Sequence, residues 1–190
     1  MRMMRRGCAY LAALAALMAA AGGCAAPAGQ IAGAETKLPA DQTQPAFLDR
    51  VAEQGTVTEN DAAAGVLMVL GEDASGAFSS RIQRLRELKA VDDSWSFDAA
   101  RPLTKGRLAY MVYQVCRHQA PMGMRGGLIL ELTGPSQRYC LKELQFRGIM
   151  SPGLPYTPVA GMEFVAVLNR AEVFRRTGEI PGVLLRTPTP

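Results

Sequence analysis

Three short stretches of the sequence share one pattern, an apolar residue, a residue in capping position, and a second apolar residue five places after the first. They are Val57-Thr58-Glu59-Asn60-Asp61-Ala62, Leu103-Thr104-Lys105-Gly106-Arg107-Leu108 and Val159-Ala160-Gly161-Met162-Glu163-Phe164. This is the spacing of a hydrophobic staple, in which the apolar residue before the cap packs on one in the second turn. Thr58 and Thr104 can accept a hydrogen bond from a first-turn amide, whereas Ala160 cannot, so the third copy is incomplete there. The lead-ins are separated by 46 and then 56 residues, and a Gly-rich insertion between Gln119 and Gly134 accounts for the longer interval. One supersecondary unit per interval is the mark of a repeat array. The fold expected is mainly α, built of helix-loop-helix repeats packed into a compact bundle.

Apolar periodicity places the helices. Phe47, Leu48 and Val51 stripe a short one over Ala46–Gly55, and Ala62, Ala63, Val66, Leu67 and Leu70 a second over Glu59–Gly71. Phe78, Ile82, Leu85 and Leu88 give a third over Phe78–Val91, with Arg81, Arg84 and Glu87 beside or opposite the stripe. Leu108, Met111, Val112 and Val115 mark a fourth after Thr104, Leu141 and Leu144 a fifth over Gln137–Ile149, and Phe164, Val165, Leu168 and Ala171 a sixth over Met162–Arg175. Between the fourth and fifth, GGLILELTG (126–134) is compatible with a short β segment or a helical turn. An extended segment is the reading preferred for it.

The first residues carry Arg2, Arg5 and Arg6 without an acidic residue, then an Ala/Leu-rich run from Gly7 to Ala21, which is the plan of a secretory signal. The run closes on Ala21-Gly22-Gly23-Cys24, which resembles the lipobox of bacterial lipoproteins. That resemblance implies cleavage before Cys24 and acylation of Cys24, although the family usually has Leu where Ala21 stands. A plain cleaved signal, or an uncleaved anchor over Gly7–Ala26, are the alternatives. All three place the chain outside the cytoplasm. Ala25 lacks the Asp that retains some lipoproteins at an inner membrane, which favours an outer-membrane or periplasm-facing location. The division expected is a signal peptide over 1–23, a flexible tether over 24–45, a helical domain over 46–176 and an extended or disordered tail over 177–190. The tether is rich in Ala, Pro, Gly and Gln, and about twenty such residues span roughly 25 Å root-mean-square.

Removing the leader changes the meaning of the charge. The formal +4 of the chain includes three leader arginines, and residues 24–190 carry 18 basic and 17 acidic side chains. No basic field for nucleic acid follows.

At the lead-ins the chain resembles the surface-layer (S-layer) homology module, SLH. Phe97, Pro102, Leu103 and Thr104 fit the loop returning to a lead-in, as do Tyr156, Pro158 and Val159, and Arg147-Gly148-Ile149 fits the exit of a second helix. The resemblance covers roughly residues 50–175. It implies three copies about a pseudo-threefold axis that bind anionic cell-wall polymer through an Arg of the lead-in. Carried over by position, Lys105 replaces that Arg in the middle copy, Glu59 takes its place in the first and Gly161 in the third, and Arg107 stands where an acid belongs.

The sequence contains no C-x-x-C, H-E-x-x-H, P-loop or G-x-S-x-G motif. Its one His, His118, follows Cys116 by two residues, a spacing that turns the two apart on a helix, so it reads as a solvated helix-end residue. Asp92, Asp93 and Asp98 lack the spacing of a calcium loop and read as loop caps. No cofactor or metal is expected. Arg101, Lys105 and Arg107 at a helix start are the candidate site for an anion or polymer. Cys116 and Cys140 can both face the core, where either a disulfide of an exported domain or two buried thiols fit. Met111, Met122, Met124 and Met150 read as core filling. The function expected is that of an exported, lipid-anchored, non-enzymatic envelope module that binds a wall polymer or an envelope protein. The alternative is a scaffold lipoprotein that works through protein contacts without glycan binding.

Overall fold

A computed structural model describes residues 44–120 and 123–181, and these belong to one compact unit. The leader, Cys24, nearly all of the tether, Met122 and the tail from 182 lie outside the described residues. Among the described residues seven helices follow in order: α1 (Gln44–Ala52), α2 (Glu59–Leu70), α3 (Phe78–Glu87), α4 (Lys105–Gln119), α5 (Leu128–Thr133), α6 (Gln137–Phe146) and α7 (Gly161–Thr177). The fold is mainly α, and the described residues hold no sheet, only isolated bridges between Thr58 and Pro102 and between Thr104 and Pro158.

The three lead-ins start α2, α4 and α7 as their sequences require. Thr58 and Thr104 sit in extended backbone and accept from the amides of Asp61 (3.2 Å) and Arg107 (3.4 Å), while Ala160 makes no side-chain cap. Val57, Leu103 and Val159 are buried with their staple partners Ala62, Leu108 and Phe164. Buried backbone groups need partners, and here each lead-in supplies them to another. The Val57 amide donates to the Val159 carbonyl (2.9 Å), the Val159 amide to the Leu103 carbonyl (3.0 Å), and the Leu103 amide to the Val57 carbonyl (2.8 Å), which closes a ring. A second ring surrounds it. The first helical amides of Glu59, Lys105 and Gly161, which have no partner inside their own helices, donate to the carbonyls of Arg101, Thr157 and Gln54, each 2.9 Å away.

Helices α2, α4 and α7 therefore start together and pack on one another, each with a companion: α3 on α2, α6 on α4, and α1 on α7. The companion of α7 comes from the N-terminal end of the domain. Helix α4 lies against α2, α6 and α7 at once, so nearly every side chain from Lys105 to Cys116 is buried rather than the expected single stripe. Arg81 also departs from the sequence reading, since it is buried on α3 and donates to Asn60 Oδ1 at 2.6 Å.

The 126–134 segment is a correction. It forms α5 rather than an extended strand, and Gly127 and Gly134 bracket it as caps. Leu130 is buried while Leu128 and Leu132, two residues to either side, are exposed; a helix turns Leu130 away from the other two, whereas an alternating strand would place all three on one face.

Three helices end in the same way, with a left-handed residue and paired bonds back into the last turn. Gly71 (φ 76°) and Gly148 (φ 71°) take this position after α2 and α6, but after α3 it is Lys89 (φ 53°), whose amide donates to Arg86 O and whose successor Ala90 donates to Leu85 O. A side chain in the left-handed region crowds its own carbonyl. Lys89→Gly is expected to stabilise the domain by about 1 kcal/mol, read as a higher urea midpoint at unchanged slope. A midpoint that stays or falls would show that Lys89 holds that conformation at no cost.

Candidate functional site

The candidate cations Arg101, Lys105 and Arg107 lie where the lead-ins meet, and all three face carboxylates of this chain. Lys105, whose side chain is 7 % exposed, sends Nζ to Glu163 Oε1 (2.7 Å), Ser151 Oγ (2.9 Å) and the Pro152 carbonyl (3.0 Å), which satisfies its three donors. Ser151 Oγ in turn donates to Glu163. Arg107, 17 % exposed, donates to Glu59 Oε1, and Glu59 is 2 % exposed. The Arg107 guanidinium also donates to the Ser96 carbonyl (3.2 and 3.1 Å) and lies over the rings of Trp95 and Phe97, 5.0 and 5.4 Å from their centroids. Arg101, 39 % exposed, is 3.6 Å from Glu59 Oε1 and donates to Ser96 O at 3.0 Å. The second Glu59 oxygen accepts from the Asp98 amide (2.9 Å).

A single rule relates these pairs. The first residue of one lead-in helix meets the third residue of the next: Glu59 meets Arg107, and Lys105 meets Glu163. Gly161 has no side chain to meet Asp61, and Arg50 from the last turn of α1 takes that place at 3.1 Å. Cations at a helix N-terminus oppose its dipole. The carboxylates beside Lys105 and Arg107 offset that, and the anions these residues hold are internal.

The other candidates are dispersed. Cys116 and Cys140 are free and fully buried on the packed helices α4 and α6, so the disulfide is not formed in this structure. Burial pushes both thiols up to about 12, so neither is poised as a nucleophile in the folded domain. Burial likewise raises the phenols of Tyr110 and Tyr113. His118 is exposed at the end of α4. Asp92 and Asp98 cap their own loop, accepting from the amides of Ser94 (2.8 Å) and Ala100 (2.9 Å), and the Ser94 bonds hold the Asp92 carboxyl below its usual range. Met111, Met124 and Met150 are buried in the core. Among the described residues no group of three or more His, Cys, Asp or Glu side chains is placed to hold a metal, and no helix is long and apolar enough to cross a membrane.

Sequence reasoning missed two features. One is the pairing of Glu59 and Glu163 with the candidate cations, which was signalled by opposite charges at first and third positions of successive lead-ins. The other is a cavity of about 230 Å³ under α5, lined by Tyr113, Arg117, Met124, Arg125, Leu130 and Glu131 with Gly123 and Gly126. Nothing in the residue pattern marks it, because it depends on how the insertion folds back on α4. Compared with family models, curated proteins and solved structures, the chain matches none.

Proposed function

We propose that this chain is an exported, lipid-tethered scaffold module of the cell envelope, non-enzymatic, built from three SLH-like lead-ins and working through contacts with other envelope proteins rather than with wall polymer. One observation carries the reading: Lys105 and Arg107, the cations that would hold an anionic polymer, are paired with Glu163 and Glu59. Displacing an internal carboxylate would cost a polymer the full energy of breaking a mostly buried pair. The closed ring of lead-in hydrogen bonds supports the three-copy reading, and the leader with Cys24 supports the tether.

The test has two arms. Intact mass of the chain recovered from membranes should show a diacyl or triacyl increment on a product beginning at Cys24, absent from Cys24→Ala. The same chain should pass through isolated wall polymer without salt-sensitive retention. An unlipidated product would remove the tether. Retention that weakens in Arg101→Ala, the exposed cation of the three, would return the function to polymer binding.

A further inference from the structure

The insertion between α4 and α6 presents a face that the lead-in ring does not use. Leu128 and Leu132 lie four residues apart on α5, on one side of the helix, and are 75 % and 76 % exposed. Exposed Leu pairs of this kind cost solubility unless something covers them. The surrounding residues say what kind of cover fits. Between 117 and 142 the chain has Arg117, Arg125, Arg138 and Lys142 against one acid, Glu131. All four cations are exposed, and none forms an ion pair among the described residues. Arg138 and Lys142 are themselves four apart on α6, the helix that α5 packs against. Arg117 and Arg125 line the cavity of about 230 Å³ at α5, together with the one acid, Glu131.

We infer that this face is a contact for an anionic membrane surface, with Leu128 and Leu132 entering the headgroup and acyl boundary and Arg117 and Arg125 receiving a lipid phosphate. Exposed apolar side chains on a segment rich in cations are the combination that interfacial segments use, one part supplying burial and the other attraction to anionic lipid. A folded partner protein could cover the two leucines, but four exposed, unpaired cations on the same stretch of chain favour an anionic surface over it. The distance is also short enough. About twenty residues separate Cys24 from Gln44, a reach of up to roughly 65 Å when extended, against a radius of gyration near 14 Å expected for a domain of this length. A tethered domain can thus turn any face to the surface, and the chemistry of the face selects which.

The inference rests on the tether reading for its cellular setting, but the test does not use the tether. The mature chain from residue 24, made as Cys24→Ser without lipid, is floated with neutral phosphatidylcholine vesicles and with vesicles that are roughly a third phosphatidylglycerol. Binding is expected only with the anionic vesicles and should fall steeply with added salt. Leu128→Ser with Leu132→Ser, and separately Arg117→Ala with Arg125→Ala, should each weaken it about tenfold or more. The helical circular dichroism should stay unchanged, since all four side chains are on the surface. No binding to anionic vesicles, equal binding to neutral ones, or indifference to both pairs of substitutions would overturn the inference. A lipidated chain that fails on vesicles refutes this face and leaves the tether, and an unlipidated cellular chain that binds them does the reverse.

Discussion

Glu59→Ala is expected to lower the unfolding free energy by about 3 kcal/mol, the cost of removing one partner from a buried ion pair. Glu59 is the acceptor around which the first junction is arranged, since it takes Arg107 and the Asp98 amide and lies within reach of Arg101. Without it, Arg107 keeps only the Ser96 carbonyl and the two aromatic rings, in a place with little access to water. The Arg101 contact contributes little, because that side chain is more than a third exposed and screened. A urea-unfolding cycle of Glu59→Ala, Arg107→Ala and the double variant should return a coupling of about 2 kcal/mol. The double variant should be less damaged than the sum of the singles, since no charge is then left alone. A loss below about 1 kcal/mol for Glu59→Ala would mean that water reaches this pair as it does a surface bridge. The reading that Arg107 is committed to Glu59 would then fail.

The same junction shows how far the sequence could be read. Thr58, Thr104 and the staple residues declare helix starts through local chemistry, and local chemistry is visible in one sequence. The ring that joins the starts is not, because a backbone carbonyl carries no residue signature and Val57 finds its partner in Val159, far along the chain. Long-range companionship was hidden for the same reason. The third lead-in opens only one helix, and the helix that packs on it, α1, striped by Phe47 and Val51, comes from the opposite end of the domain. Periodicity located α1 without saying what it served. In the insertion, two flanking glycines and a short apolar run fit strand or helix equally, and the burial of Leu130 with exposure of Leu128 and Leu132 decides it. Arg101, Lys105 and Arg107 stand close together in the sequence, whereas the carboxylates they face, Glu59 and Glu163, lie on other lead-ins and so were not legible. For Cys116 and Cys140 the apolar spacing indicated burial, and no spacing distinguishes a bridge from two thiols.

Gly161→Ala should be the most damaging small substitution in the domain. By sequence Gly161 was merely the position where the third lead-in had lost its cation, but in the structure it is where α1 ends against the start of α7. A Cβ placed on Gly161 would come 1.9 Å from the Val51 carbonyl oxygen and 2.9 Å from those of Ala52 and Gln54. These are backbone atoms at the end of a helix, and the Gly161 amide is bonded to one of them, so a rotamer change cannot relieve the clash. Relief requires α1 to move off α7, which would open the outer ring at Gln54 and expose Phe47 and Val51, both buried without residue. We expect a loss of about 3 kcal/mol or more, above the usual range for overpacking because the obstacle is main chain. Gly65 supplies the comparison. A Cβ there first meets the ends of the buried Phe164 and Leu168 side chains at 2.7 Å, side-chain rather than main-chain atoms, so Gly65→Ala should cost less than Gly161→Ala. Thermal unfolding of the two variants in parallel checks the order. If Gly161→Ala unfolds no earlier than Gly65→Ala, then α1 is not held against α7 as described, and the third lead-in lacks the companion assigned to it.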